Sequence, residues 1–147
     1  MNKHADYGYS IIMKKFIHNF LHCGLLGWCM EIIFTAFHSY RKRDFKLSGM
    51  TSIWMFPIYG LAAFLAPISR MLKGKNLIFR GFVYTGIIFT CEFISGTLLR
   101  KKGLCPWNYE RSRWNIGNVI RLDYTPCWFI SGLLFERLLL ENEKLDK

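Results

Sequence analysis

The sequence predicts an all-α membrane protein: four transmembrane helices as two repeated helical hairpins, with an interfacial aromatic and basic cap between helices 3 and 4. Three observations carry this. Of 147 residues, 52% are hydrophobic and 17% aromatic, rich for a soluble chain of that length. Apolar spans fall at about 16–38, 51–72, 77–99 and 124–140, with Lys and Arg gathered between them. Two glutamates, Glu31 and Glu92, each sit roughly two-thirds along an apolar stretch of about 23 residues, the length that crosses a bilayer. The whole chain, 1–147, reads as a single integral-membrane domain.

The first span follows Lys14 and Lys15 as a signal peptide's core does, but it is too long, contains Glu31 and lacks a small-x-small cleavage site, so it is expected to stay as a signal anchor. Gly24, Gly27 and Thr35 share the helical face of Glu31, and Thr85, Ser95 and Gly96 that of Glu92. Small residues let helices approach closely, and hydroxyls can hydrogen-bond a carboxyl group away from water. The second span carries Trp54, Tyr59 and Gly60, with Pro57 expected to kink it. The fourth has an apolar core of only Tyr124 to Phe135, including Trp128 and Gly132, before Glu136 and Arg137. It is expected to be short or tilted, with Glu136 turned inward and Arg137 outward. Pro126 predicts a second kink unless it lies in the first helical turn.

Segment 103–123 holds Cys105, Pro106, Trp107, Tyr109, Arg111, Trp114 and Arg121. Rings interleaved with guanidinium groups suit the interface, where ring bodies meet acyl chains and cations meet phosphates. The net charge of +10 is carried by short loops flanking apolar spans, so anionic lipid headgroups are the expected partners and nucleic acid is not. The twenty Lys and Arg divide ten and ten between the two sides, from Lys3 to Lys147 on the side of the termini and from Arg41 to Arg121 on the other. Lys14 and Lys15 directly before the first span lean the termini to the cytoplasmic side of a plasma membrane.

Neither disulfides nor cofactors are expected. The five cysteines form no CxxC pair and four fall inside spans. His18 and His22 have the i, i+4 spacing of a metal pair, yet no third ligand is assured and no metal site is assigned.

The two halves share an order of parts. Glu31 is followed by Arg41, Lys42 and Arg43, then Gly49, then a helix with Trp54, Pro57 and Gly60; Glu92 is followed by Arg100, Lys101 and Lys102, then Gly117, then a helix with Pro126, Trp128 and Gly132. A parallel repeat would place both carboxyl groups at similar depth. An acidic residue at the centre of a membrane helix costs about 2.5–3.5 kcal/mol, which argues for an interior site formed by Glu31, Glu92 and Glu136. Gly27, Thr35, Trp54, Tyr59, Gly60, Gly96, Trp128 and Gly132 are the candidates for packing around it or lining a path.

The blocks GWCMEIIFTAF, LSGMTSIWMFPIYG, FTCEFISG, CPWNY and PCWFISGLLFE, in that order, resemble the CmpB-type ABC-transporter permease family (ABC-transporter type IV), which also takes in the transmembrane protein 229 group. The resemblance spans roughly Gly24 to Glu136 and puts the family's pattern on Glu31, Gly49, Thr51, Ser52, Trp54, Tyr59, Gly60, Glu92, Gly96, Cys105, Pro106, Trp107, Tyr109, Pro126, Trp128, Gly132 and Glu136. It implies a permease-like subunit. The chain has no G-x-x-x-x-G-K-[ST] loop, so any ATPase is expected to be a separate subunit.

Three function classes follow. An accessory or scaffold subunit would keep its glutamates protonated as interhelical donors; a transporter component would use Glu31 and Glu92 to exchange protons or cations, in a homo-oligomer or larger complex. A lipid-modifying enzyme would need a base near a nucleophile such as Cys105, and the sequence offers neither a nearby His nor a G-x-S-x-G elbow.

Overall fold

A computed structural model describes residues 3–145, with side chains from residue 8 onward. Lys147 and the side chain of Lys3, both in the charge tally above, lie outside that description. The chain divides into two compact units, Met1–Phe64 and Leu65–Lys147.

The first unit is built on α1, Lys3–Arg41. Its 39 residues contain no proline, so the helix runs about 58 Å, well beyond the 16–38 span and beyond a hydrocarbon core of about 30 Å. Arg43, at φ +61°, ends it in the left-handed region. The returning chain then descends along α1 before turning helical. Ser39 Oγ donates to the carbonyl of Ser48 (3.1 Å), Thr35 Oγ1 accepts from the amide of Met50 (2.9 Å), and Trp28 Nε1 donates to the carbonyl of Ser52 (3.0 Å). These side chains are spaced by seven and four residues along α1, forming one stripe that satisfies an extended backbone. Helix α2 (Met55–Gly60) therefore starts later than the expected residue 51.

The second apolar run is broken, not continuous. A 3-10 turn at Leu61–Phe64 separates α2 from α3 (Leu65–Met71). Pro67 explains the break: it cannot donate to Ala63, and its ring crowds that carbonyl. Pro57, expected to kink the helix, sits in its first turn, where a missing N–H costs little. Within this unit Phe20 covers Gly60, Tyr59 covers Gly27, and Phe56 covers Gly24. The Phe16 and Phe64 rings meet at 4.9 Å, and those of Trp28 and Phe56 at 5.0 Å.

The second unit holds α3, α4 (Leu77–Lys101), the cap and α5 (Thr125–Leu145). Asn76 caps α4 by accepting from the amide of Ile78 at 2.9 Å. Helices α4 and α5 close on glycines: Tyr84 lies on Gly132 and Phe129 on Gly81. Pro126 lies in the first turn of α5 and produces no kink; a 3-10 turn, Leu122–Tyr124, leads into the helix.

The cap departs from an all-α fold. Strands β1 (Asn115–Ile116) and β2 (Ile120–Arg121) pair antiparallel around Gly117 and Asn118, which take φ +57° and +60°. Two successive positive φ values suit the twist of a hairpin, and Gly-Asn is the sequence signal for it. Trp107 Nε1 donates to the carbonyl of Val119 (3.0 Å), and Arg100 Nη1 to that of Gly117 (3.3 Å). Val119 is fully buried beside Gly96.

Helices α1 and α4 are the two among the described residues long and apolar enough to cross a membrane. Only 17% and 22% of their most apolar windows are buried within the chain, unlike the core helices of a soluble protein. Ile12, Leu25, Ile33, Phe37, Phe82 and Leu98 all face outward. Such extensive apolar exposure calls for lipid or a partner.

A Cβ on Gly132 would come within 2.5 Å of Tyr84 Cβ, an atom with no freedom to move aside. Gly132→Ala is expected to destabilise the second unit by about 1–3 kcal/mol in a detergent melting experiment. Gly86→Ala, with nothing within 4 Å, should be neutral or stabilising by up to about 1 kcal/mol.

Candidate functional site

A carboxyl group in an apolar helix needs donors from the protein itself, and the three glutamates meet this need in three ways. Glu31, on α1, accepts a hydrogen bond from Thr51 Oγ1 at 2.8 Å. Thr51 reaches it because the returning chain runs down the stripe of Trp28, Thr35 and Ser39. The expected donor, Thr35, is engaged instead with backbone: its hydroxyl donates to the carbonyl of Glu31 (2.8 Å) and accepts from the amide of Met50 (2.9 Å). Gly27 lies under Tyr59, Gly60 under Phe20, and Trp54 is exposed at the start of α2.

Glu92, on α4, is 8% exposed. The indole of Trp128 and the phenol of Tyr109 lie beside its carboxyl group, so one neighbour comes from α5 and one from the cap. Oε2 of Glu92 is nevertheless buried and makes no hydrogen bond. The hydroxyls expected on this face turn back into their own helix: Thr85 Oγ1 donates to the carbonyl of Gly81 (2.8 Å) and Ser95 Oγ to that of Cys91 (2.7 Å). Intrahelical bonding of this kind is the ordinary alternative for a hydroxyl in a helix.

Glu136, on α5, is 5% exposed and paired with a cation. Arg80 Nη1 lies 3.2 Å from its Oε1, and the Tyr84 hydroxyl donates to the same oxygen at 2.7 Å. Tyr84 precedes Glu92 by eight residues on α4, about 12 Å along the axis, so Glu136 is tied to a different level of the helix. The sequence carried a signal for this partner: Arg80 interrupts the apolar start of α4, and counting it among surface cations hid its role.

The cap residues form one network around the hairpin. Cys105 Sγ donates to the carbonyl of Trp107 (3.2 Å), which places no base at the thiol. Gly96 makes room for Trp107 and Val119. Arg121 grips Asp123 through Nε and Nη2, both at 2.8 Å, donates from Nη1 to the Tyr124 hydroxyl (2.9 Å), and stacks 4.4 Å from that ring. The guanidinium holds the Asp123 carboxyl below its ordinary range by hydrogen bonding. Arg111 and Trp114 are exposed, as is Pro106. On α1, the rings of His18 and His22 meet edge to face at 4.0 Å; among the described residues no three His, Cys, Asp or Glu side chains gather as a metal site.

Long apolar helices that the chain leaves largely uncovered, carrying carboxyl groups whose neighbours come from within the chain, point to a membrane protein. The chain belongs to the family described as putative ABC-transporter type IV, which it matches over residues 18–143. That match takes in Glu31, Glu92 and Glu136. No solved structure matches the chain.

Glu136→Ala would strand Arg80 in the second unit and is expected to cost about 3 kcal/mol in detergent melting. Arg70→Ala, which removes the exposed Arg70–Glu143 pair, should cost less than about 1 kcal/mol.

Proposed function

We propose that this chain is a multi-pass, permease-like membrane subunit in which Glu31 and Glu92 each take up a proton or a cation. One observation carries the reading. Among the described residues, neither Glu31 nor Glu92 has a cationic partner, whereas Glu136 shows how this chain neutralises a glutamate it uses for structure. A buried carboxyl group with an uncommitted oxygen is fit to hold an exchangeable charge.

In the membrane, α1 and α4 cross as long spans, while the broken α2–α3 run and α5 make the shorter ones. The extended chain at Ser48–Ser52 is tolerated at depth because α1 side chains satisfy it. A duplicated hairpin is supported by the matching order of parts. Gly60 packs on Phe20, eleven residues before Glu31, and Gly132 packs on Tyr84, eight before Glu92. Lipid headgroups, further copies of the chain and a separate ATPase subunit are the partners this reading requires.

In proteoliposomes, Glu31→Gln and Glu92→Gln are each expected to lower pH- or cation-driven flux by about tenfold or more, equivalent to ~1.4 kcal/mol, with the melting temperature kept. Flux unchanged in both folded variants would leave the accessory scaffold as the function.

A further inference from the structure

We infer that the cap carries a binding site for a phosphate group, formed by Asn108, Tyr109, Arg111, Ser112 and Arg121. These five side chains line a cleft of about 180 Å³. The donors in it are unevenly committed. Arg121 is locked by Asp123 and by the hydroxyl and ring of Tyr124, contacts that use three of its five N–H groups and leave two in a fixed orientation. Arg111 makes no hydrogen bond or ion pair with the rest of the described chain, so all its donors are available. The Ser112 hydroxyl is likewise uncommitted, while its backbone is fixed at both ends: its amide donates to Tyr109 and its carbonyl accepts from Asn115. Asn108 Nδ2 has only a long contact, 3.5 Å, to Glu110.

One immobilised guanidinium, one free guanidinium, a hydroxyl and an amide form a donor set suited to tetrahedral oxyanions, which arginines bind through paired N–H groups. Asp123 lowers the local charge, so Arg111 supplies the uncompensated positive charge. The same segment exposes Leu104, Trp114, Ile116 and Leu122, apolar side chains placed as an interface-seeking cap would place them. A phospholipid headgroup and a free phosphate share the relevant chemistry. Tyr109 lines the cleft and also lies beside Glu92, so an occupant of the cleft would touch a residue next to the intramembrane carboxyl group.

Arg111→Gln tests the site without endangering the fold, because Arg111 supports nothing else in the chain. Arg113→Gln is its control, an exposed arginine from the same turn that does not line the cleft. Full-length protein in phosphatidylcholine nanodiscs is titrated with inorganic phosphate by calorimetry, and nanodiscs with and without phosphatidic acid are compared by native mass spectrometry. Binding of at least one probe, weakened about tenfold by Arg111→Gln and less than twofold by Arg113→Gln, is the expected result. Retention of phosphatidic acid alone identifies a lipid, and saturation by inorganic phosphate a soluble ligand. Equal losses in both variants would show diffuse surface attraction and overturn the site, as would no binding of either probe. Loss of this site leaves the flux result for Glu31 and Glu92 unaffected, so the two proposals fail separately.

Discussion

Everything in this chain is arranged around one constraint: a carboxyl group on an apolar helix must be answered by donors the protein itself supplies. Glu136 receives a guanidinium and a phenol, and α4 and α5 are clamped together where it sits. Glu31 receives the hydroxyl of Thr51, which is available only because the chain after α1 doubles back in extended form along Ser39, Thr35 and Trp28. Glu92 has aromatic neighbours from α5 and from the cap, yet keeps one oxygen unmatched. The cationic partner, present at Glu136 and absent at Glu31 and Glu92 among the described residues, is what separates a structural glutamate from candidate working ones.

The glycines make those arrangements possible. Gly132 lets Tyr84 stand close enough to α5 to reach Glu136, and Gly96 lets Trp107 and Val119 press the cap hairpin onto α4. Close helix approach through small residues is the main packing device available in lipid, where burial of apolar surface between helices provides little drive. The cap is thus the continuation of the same packing, and Tyr109 links its polar cleft to Glu92.

The long helices were legible because their signal is local: α4 spans Leu77–Lys101 where hydropathy put 77–99, and the glutamates stand out against apolar surroundings. What escaped the sequence depended on distant partners. The helix expected from residue 51 begins only at Met55, and the bonds from α1 to Met50 and Ser52 explain why the chain before it stays extended. Pro57 and Pro67 each stand third in a short helix, α2 and α3, but only Pro67 has helical chain directly before it to interrupt, so the outcome rests on what precedes the proline. Thr35, Thr85 and Ser95 lie at helical spacings from the glutamates, and each spends its hydroxyl on its own helix. The hairpin at Gly117-Asn118 lies outside the all-α expectation, although that dipeptide is itself a turn signal.

The most direct test of the difference between the three glutamates is covalent modification with an apolar carbodiimide, which reacts with protonated carboxyl groups within membranes. After treatment of the reconstituted protein, mass spectrometry of its peptides locates the adducts. Modification of Glu31 and Glu92, with Glu136 protected by Arg80, is the result this account predicts. Modification of Glu136, or of neither Glu31 nor Glu92, would contradict it.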